Sequence, residues 1–348
     1  MKMKKAVLRG PGQVEIVEMD APQCPEGGVL VKVISCAVCG TDVENYLHGQ
    51  RMSQLPPDLG HELTGEVTAV DSTVTHFGVG DRVALNQSVP CGECPDCENG
   101  YENLCDHTTR IGGGFGEYIA IPAVAVQSGN LLKMPDSLSY RAGTHAEALA
   151  AVINCSEIMD IKLGDTVLVV GAGAVGILHC QLAKAAGAIQ VILSDVNQER
   201  LDSVLELSRA DLTINSAEEN LEECIKELTS GEGIDKIIVA CSSGAAQEEA
   251  IKVVAKRGYV CMFGFTHKQW PWIKFDSNDC HYREFFVTGA FAYSRKQFKL
   301  ALDLLASGAI QTDKLNTHML PLERSVEALE AMNKGEGLKV LVEPSIQL

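Results

Sequence analysis

The chain has 348 residues, of which 46% are hydrophobic and 22% charged, and its formal net charge is −17 with a sequence pI near 4.9. This composition, with a mean hydropathy of +0.05, is typical of a folded, soluble protein of about two domains. The excess of acid argues against a surface for nucleic acid or anionic membrane, because binding to phosphates needs clustered positive charge.

The cysteines indicate the compartment. The sequence contains thirteen of them, yet it begins Met-Lys-Met-Lys-Lys and continues directly into a strand-like segment, so we expect no signal peptide. Its apolar runs are shorter than the roughly 18 residues of a membrane-spanning helix. We therefore expect a cytoplasmic protein, in which clustered cysteines bind metal rather than form disulfides.

The first part of the chain, to about Ser139, contains short β-type runs separated by Gly, Pro and Asp. This pattern predicts an irregular, mostly antiparallel β-domain. The predicted strands are Val29–Val33, Leu63–Val70, Arg82–Leu85 and Glu117–Ile121.

After about Tyr140, apolar strands alternate with amphipathic helices, which predicts βαβ units and a parallel, doubly wound sheet. The predicted strands are Thr166–Val170, Gln190–Ser194, Leu212–Ile214, Lys236–Ala240, Tyr259–Gly264 and Phe285–Thr288. Helices over Lys296–Ala306 and Leu322–Lys334 and a closing strand over Lys339–Val342 complete the chain. The fold class is α/β.

A glycine-rich turn lies between the first of these strands and a helix. Its residues are Gly171, Ala172, Gly173, Ala174, Val175 and Gly176. The first glycine permits the tight turn, the second lets the backbone approach a pyrophosphate and the third lets the helix pack on the strand. Together with the N–H groups at the start of the helix, this segment predicts a dinucleotide site.

An acid ends the next strand. Asp195 lies 24 residues after Gly171, where a carboxylate accepts hydrogen bonds from the ribose hydroxyls of a dinucleotide. Because that charge repels a 2′-phosphate, the sequence favours NAD over NADP. The nearby Arg200 slightly weakens this preference for NAD. We interpret it, however, as a solvated side chain on the face of the following helix.

Four cysteines lie within fifteen residues: Cys91, Cys94, Cys97 and Cys105. Closely spaced thiolates on a turning loop are suited to one tetrahedral Zn²⁺ in a closed, structural site. An iron–sulfur cluster also takes four thiolates and remains the alternative. Zinc is favoured, because the surrounding β-domain shows no other feature of electron transfer.

A second constellation combines one thiolate, one imidazole and one or two carboxylates. Its residues are Cys39, His61, Glu62 and, far downstream, Glu147. Such a set can hold Zn²⁺ and leave a position open for water or substrate, as catalytic sites do. Asp42 is the expected acceptor for the His61 N–H. Cys36 is interpreted as a small buried apolar residue.

With these motifs, the chain resembles the zinc-dependent medium-chain dehydrogenases of the alcohol, sorbitol and threonine dehydrogenase group over essentially its whole length. The matching segments are Cys39–Asp42, Gly60–Glu62, Gly78–Val83, the four-cysteine segment, Gly113–Tyr118, Gly171–Gly176 and Lys339–Val342. The resemblance implies a GroES-like catalytic domain formed by residues 1–147 and 287–348, with a Rossmann NAD-binding domain, residues 148–286, inserted between them. Glu147 stands where alcohol-type members have cysteine and polyol-type members have glutamate, which points to the sorbitol-like branch.

The resemblance also implies a reaction. A secondary alcohol, in a polyol or sugar alcohol that can carry a phosphate, is oxidised reversibly to its ketone, with hydride transfer to the nicotinamide and zinc acidifying the alcohol. Thr41 takes the family's place for the hydroxyl that relays the proton. Whether Glu62 or Glu147 is the direct zinc ligand stays open. A threonine-type amino-alcohol dehydrogenase and a catalytically silent NAD-binding relative are the alternatives, and a homo-oligomer, either dimer or tetramer, is expected.

Two departures from the family pattern concern the site. Glu44 stands where many relatives carry a histidine beyond the relay hydroxyl, and His145 is unusual two residues before Glu147. Substrate contacts are less clear from sequence. The residues expected to line a cleft between the domains are Phe115, Tyr46 and Phe291, and the cations available for a substrate phosphate are Arg51, Arg110 and Lys268.

Overall fold

The structure, a computed structural model, describes residues 1–49, 58–266 and 271–344. The chain divides into two compact units: unit 1 comprises residues 1–150 and 293–348, and unit 2 comprises residues 151–292. The family resemblance implies domain limits after residues 147 and 286. These limits remain a prediction, because they divide a catalytic domain from an NAD-binding domain, whereas the two units are defined by contacts within each unit. In the described part of the chain, no helix is both long and apolar enough to cross a membrane.

Unit 1 begins with a series of short strands and turns. Its elements up to the first division are β1 (Lys2–Gly10), β2 (Gln13–Asp20), β3 (Val29–Ala37), α1 (Gly40–His48), β4 (Glu62–Val70), β5 (Arg82–Leu85), β6 (Ser88–Val89), α2 (Pro95–Glu98), β7 (Thr109–Arg110), β8 (Tyr118–Ile121), α3 (Ala123–Gln127), β9 (Leu131–Lys133), α4 (Tyr140–Gly143) and α5 (Ala146–Met159), the last of which continues into unit 2.

Unit 2 alternates strands and helices, as predicted. It contains β10 (Thr166–Val170), α6 (Ala174–Ala185), β11 (Gln190–Asp195), α7 (Gln198–Ser208), β12 (Leu212–Asn215), α8 (Leu221–Leu228), β13 (Ile234–Val239), α9 (Gly244–Lys252), β14 (Val254–Met262), α10 (Ser277–Arg283) and β15 (Phe286–Gly289). The chain then returns to unit 1 with α11 (Arg295–Ala306), β16 (Asn316–Pro321), α12 (Ser325–Lys334) and β17 (Lys339–Glu343).

The main sheet of unit 1 has the strand order β16-β17-β3-β4-β5-β9, and β8 also pairs with β3. Its pairings are antiparallel except for β16 with β17, which confirms the predicted mostly antiparallel β-domain. β3 is largely buried and reads as an almost continuous apolar run, Val29–Ala37. It lies between β17 and β4, so residues distant in sequence meet at its carboxyl end.

The sheet of unit 2 has the order β12-β11-β10-β13-β14-β15, and its strands are parallel. This is the order of a doubly wound dinucleotide-binding fold, in which ligands bind outside the carboxyl ends of the strands where the winding direction reverses. That reversal lies at β10, the strand that precedes the glycine turn. The α/β fold class, with a β-rich GroES-like part and a Rossmann sheet, is confirmed.

Some boundaries differ from prediction. β14 begins at Val254, not Tyr259, because Arg257 has φ +60 and interrupts the apolar pattern without ending the strand. Leu322–Arg324 form a 3₁₀ turn ahead of α12, so the predicted helix over Leu322–Lys334 begins at Ser325. β2 and β16 were not predicted.

Candidate active site

Three predicted metal ligands come together in unit 1. The ligand atoms of Cys39, His61 and Glu62 all lie within 4.8 Å of one another. Cys39 is the N-cap residue of α1, and Glu62 opens β4, where it is paired in register with Ala37 of β3. The antiparallel pairing of β3 and β4 therefore carries the two segments to the same place, and these donors fit a bound zinc ion.

A glycine sets the position of His61. Gly60 has φ +82, and a Cβ atom on it would lie 2.5 Å from Phe115 Cδ1 and 2.8 Å from Cys36 Sγ. Only glycine fits this turn. Phe115 and Tyr46, which were expected to line a cleft, belong instead to the hydrophobic core of unit 1, so that expectation is wrong.

Asp42 orients the imidazole. Its carboxylate accepts hydrogen bonds from the backbone N–H groups of Cys39 at 3.0 Å and Gly60 at 3.1 Å, and His61 Nδ1 lies 3.5 Å from its Oδ1. Burial alone would raise the pKa of Asp42, but the His61 charge and these N–H groups hold it below its ordinary value. Likewise burial would lower the pKa of His61, but Asp42 and Cys39 raise it well above the ordinary value. His61 Nε2, on the other side of the ring, lies 3.5 Å from the Thr41 hydroxyl.

Glu62 forms a buried ion pair. Lys339 Nζ lies 2.5 Å from Glu62 Oε2, and the two side chains are only 5% and 1% exposed. Lys339 opens β17 and Glu62 opens β4, and both strands pair with β3. Burial would lower the pKa of Lys339, but Glu62 and Cys39 raise it, so the ammonium stays charged. The Glu62 carboxylate thus already has one cationic partner.

Glu147 lies near this group without belonging to it. Among the described residues, the tight set contains Cys39, His61 and Glu62 and not Glu147, which is the second residue of α5. Burial, followed by the charge of Glu62, raises the pKa of Glu147. Burial and the Glu147 charge also raise the pKa of Tyr293 well above its ordinary value. The Tyr293 hydroxyl is buried, and the Glu147 carboxylate is the first side chain that acts on it.

The four cysteines of the second site also converge. The sulfur atoms of Cys91, Cys94, Cys97 and Cys105 lie within 4.8 Å of one another, with Cys91 to Cys97 at 4.0 Å and Cys91 to Cys105 at 3.6 Å. Tetrahedral zinc with Zn–S bonds of about 2.3 Å places its sulfur ligands about 3.8 Å apart. An iron–sulfur cluster distributes its four thiolates over two or four irons and so spreads them farther apart, and the distances therefore favour a single zinc ion.

An ion pair connects this cysteine segment to α11. The Arg295 side chain donates to both oxygens of Glu102 at 3.0 and 3.1 Å and also to the Ser128 carbonyl, and the Arg295 backbone N–H donates to Glu102. Burial would raise the pKa of Glu102, but Arg295 lowers it. Glu102 lies between Cys97 and Cys105, so Arg295 holds the segment against the rest of unit 1.

The glycine turn of unit 2 has the predicted geometry. Gly171 has φ +115, and a Cβ atom on Gly176 would lie 1.8 Å from the Gly171 carbonyl oxygen, so neither position accepts a larger residue. A Cβ atom on Gly173 would meet nothing within 4 Å, which leaves open space beside the N-terminus of α6. Free N–H groups at such a terminus suit a pyrophosphate.

Asp195 is held at this turn. Its Oδ2 accepts a hydrogen bond from Ala172 N at 2.7 Å, and its Oδ1 accepts one from Asn197 N at 3.0 Å. β10 and β11 pair in parallel with Val170 opposite Ser194, so the acid at the end of β11 adjoins the turn after β10. Arg200 lies in the first turn of α7, where its backbone N–H donates to Asn197. The structure thus brings the predicted cofactor residues together.

Comparisons with known proteins identify the family. The model of the alcohol dehydrogenase GroES-like domain matches residues 25–136, and that of the zinc-binding dehydrogenases matches residues 174–307. The sequence is 33% identical to sorbitol dehydrogenase of Bombyx mori, covering 97% of both chains. The chain belongs to the zinc-binding dehydrogenase family.

Two further members of the family are informative. D-arabitol-phosphate dehydrogenase of Enterococcus avium is 29% identical over 98% of this chain and 97% of its own. The structure described as a short chain alcohol dehydrogenase from Escherichia coli CFT073, complexed with NADH, matches with a TM-score of 0.87 and 28% identity, covering 98% of this chain and 99% of the other. The predicted resemblance to zinc-dependent medium-chain dehydrogenases is therefore confirmed.

Several other residues expected at the site are not members of the tight metal group among the described residues. His145 is fully buried and donates a hydrogen bond through Nε2 to Asn316 Oδ1 at 2.8 Å. Burial and the charge of Lys339 lower the pKa of His145 to about 3. Phe291 is 56% exposed and belongs to unit 2. Arg110 lies in β7, and Glu44 lies in α1. Arg51 and Lys268 lie outside the described residues.

Two residues of the dehydrogenase site were missed by sequence reasoning. Lys339 was predicted only as part of a closing strand. Its neighbours in sequence give no sign that it pairs with Glu62, which lies 277 positions earlier in the chain. Tyr293 follows the residue expected to contact substrate, Phe291, by two positions, but a single tyrosine carries no pattern. Both reach the site through packing of distant segments.

Proposed function

We propose that this dehydrogenase reversibly oxidises a secondary alcohol in a polyol or sugar alcohol to the ketone, with hydride transfer to NAD. The observation that supports the proposal most is the convergence of Cys39, His61 and Glu62 beside the Thr41 hydroxyl. The sorbitol and arabitol-phosphate dehydrogenases among its relatives support the polyol class.

Cys39, His61 and Glu62 would hold the catalytic zinc, with Glu147 as a further ligand or as the group that holds a water molecule. Zinc held by these residues would act as a Lewis acid, which makes an alcohol proton more acidic. Asp42 keeps His61 in the tautomer whose Nε2 is available to a metal, because it occupies the Nδ1 side of the ring. Lys339 neutralises Glu62, so the site does not accumulate the full negative charge of its thiolate and carboxylates.

The proton and the cofactor have separate binding groups. The Thr41 hydroxyl, 3.5 Å from His61 Nε2, accepts the alcohol proton and passes it towards solvent. Asp195 and the glycine turn bind the adenosine ribose and the pyrophosphate of NAD. The four-cysteine segment would hold a second, structural zinc ion.

A substrate panel tests the proposal. Sugar alcohols, their phosphates, simple secondary alcohols and threonine are offered to the zinc-loaded enzyme with NAD and NADP in parallel, and absorbance at 340 nm is followed. We expect turnover to be highest with a polyol and NAD and to be lost after chelation. Turnover of threonine alone would move the function to the amino-alcohol class, and absence of turnover with every alcohol would favour a catalytically silent NAD-binding protein.

We further propose that the enzyme is a cytoplasmic homo-oligomer. β15 is the outer strand of the unit 2 sheet, and Phe286 and Val287 on it are 46% and 40% exposed. An open edge with apolar side chains is suited to pairing with a second copy. Light scattering should therefore give a multimer whose mass falls in Val287→Lys and is unchanged in Leu163→Lys, which alters an exposed apolar residue of unit 2 outside β15.

A further inference from the structure

The local structure around Tyr293 fixes the position of its ring. Tyr293 precedes Ser294, the N-cap of α11, and Ser294 forms a capping box with Gln297: the Ser294 N–H donates to Gln297 Oε1 at 2.7 Å, and the Gln297 N–H donates to the Ser294 hydroxyl at 3.4 Å. The Tyr293 ring stacks on Phe298, the fourth residue of the helix, with ring centroids 5.8 Å apart. A contact between the residue before the N-cap and the fourth helical residue fixes the direction in which the chain enters a helix.

The residue before Tyr293 has a strained backbone. Ala292 has φ +53, in the left-handed region that side chains with a Cβ atom rarely adopt. Within unit 2, the Asn154 side-chain amide donates to the carbonyl oxygens of Phe291 at 3.3 Å and Ala292 at 3.1 Å, which holds this conformation. Strain of this kind persists only where the surrounding structure imposes it, and it is concentrated at functional sites.

The four-cysteine segment completes the start of α11. Glu102, which lies between Cys97 and Cys105, accepts a hydrogen bond from the backbone N–H of Arg295 at 3.1 Å and further ones from its guanidinium. Arg295 is the first residue of the helix, where backbone N–H groups have no partner within the helix and a negative charge is stabilising. The four-cysteine segment therefore holds the chain two residues after Tyr293.

The Tyr293 hydroxyl is directed towards the metal group of unit 1. The residue is only 6% exposed, and the hydroxyl oxygen is buried. Burial raises the pKa of Tyr293 well above its ordinary value, and Glu147, Glu62 and Cys39, in that order, raise it further, so the hydroxyl keeps its proton. A buried hydroxyl needs a hydrogen-bond acceptor, and the Glu147 carboxylate, which acts on it most strongly of these three groups, is suited to that role.

We propose that Tyr293 is a positioning residue whose hydroxyl holds the Glu147 carboxylate in place, and that the four-cysteine segment fixes Tyr293 through Glu102 and Arg295. This inference rests on the proposed function, in which Glu147 is a metal ligand or holds a water molecule. Tyr293 itself neither binds the metal nor transfers a proton. The four-cysteine segment, although it carries no reacting group, then affects turnover as well as stability.

The substitution Tyr293→Phe tests the first part on the full-length, zinc-loaded enzyme, because it keeps the stacked ring and removes only the hydroxyl. We expect kcat with the best polyol and NAD to fall about tenfold or more, since a displaced group at a reaction site lowers the rate steeply, while zinc content and NADH binding are unchanged. The matched control is Tyr282→Phe, which alters a tyrosine of unit 2 that is 79% exposed and should keep kcat.

A second readout does not depend on turnover. In the Co²⁺-substituted protein, Tyr293→Phe should shift the visible absorption bands, because the Glu147 carboxylate is no longer held beside the metal group, and Tyr282→Phe should not. Cobalt bound to the four cysteines contributes equally to both spectra and cancels in their difference. An unchanged kcat or an unchanged cobalt spectrum in Tyr293→Phe would overturn the proposal.

A double-mutant cycle tests the role of the four-cysteine segment. Glu102→Gln should lower kcat about threefold or more in the otherwise unchanged enzyme and have no further effect in the Tyr293→Phe background, because coupled residues are not additive. Arg295→Lys, which keeps the charge but not the paired contacts, should behave in the same way, and Glu98→Gln, which alters an exposed acid of the same segment, should not. Equal losses in both backgrounds, or no loss in either, would overturn this part.

Failure of this inference is distinct from failure of the proposed function. If the unaltered enzyme oxidised no alcohol, the proposed function would fall, and the cobalt spectra would still decide whether Tyr293 positions Glu147. If the unaltered enzyme oxidised polyols and Tyr293→Phe matched it in kcat and cobalt spectrum, the proposed function would stand and the role of Tyr293 would be refuted.

Discussion

The ion pair of Lys339 and Glu62 should be required for the stability of unit 1. Replacing Lys339 with Met removes the ammonium and leaves the carboxylate buried without a counter-charge. Because the two side chains are only 5% and 1% exposed, solvent does not screen the loss. Breaking such a pair costs roughly 3–5 kcal/mol of unfolding free energy. For a unit of this size the melting temperature should fall by roughly 6–20 °C.

Differential scanning calorimetry on chelator-treated protein measures this loss without compensation by bound metal. The double variant Lys339→Met/Glu62→Gln should recover most of the stability, since no unpaired charge remains. Lys334→Met is the matched control, because this lysine is 58% exposed and contacts acids only at 4.0 Å. Equal melting temperatures for Lys339→Met and Lys334→Met would refute the reasoning.

Three further predictions concern other parts of the chain. Cys94→Ser should remove one zinc per chain, measured by plasma mass spectrometry, and lower the melting temperature; retention of two zinc ions would show that the four-cysteine assignment is wrong. Asp195→Ser should lower the NAD-to-NADP ratio of kcat/KM about tenfold or more, or about 1.4 kcal/mol; an unchanged ratio would shift attention to Arg200. His179 is buried, which lowers its pKa to about 3 from 6.5, so only the unfolded chain takes up its proton as the pH falls below 6.5. This group should therefore lower the unfolding free energy by up to about 1.4 kcal/mol for each pH unit between pH 6.5 and 3. Urea titrations at several pH values measure how the unfolding free energy depends on pH. In His179→Met, the part of this dependence that comes from His179 should be absent.

Features encoded by neighbouring residues were predictable from the sequence. The glycine turn and the four cysteines are each contained in a short segment, and backbone stereochemistry or ligand spacing fixes what such a segment can do. Asp195 could be placed beside the turn because consecutive parallel strands end at the same edge of a sheet.

Features that depend on distant segments could not be predicted in the same way. Cys39, His61 and Glu62 were grouped by ligand type and family resemblance, whereas their proximity depends on the pairing of β3 with β4. The Lys339 partner of Glu62 depends in addition on the pairing of β17 with β3. Phe115 reads as a possible substrate contact in sequence, but its packing against Gly60 places it in the core.

The central claim is that the metal group of unit 1 is needed for hydride transfer while the cofactor site is independent of it. Turnover of the best polyol by Cys39→Ser, followed at 340 nm beside NADH binding measured by fluorescence, tests it most directly. The matched control is Cys36→Ala, a buried cysteine three residues earlier that is not part of the group. We predict that Cys39→Ser loses turnover but keeps NADH binding, and that Cys36→Ala keeps both. Near-normal turnover by Cys39→Ser with a full zinc content would contradict the account.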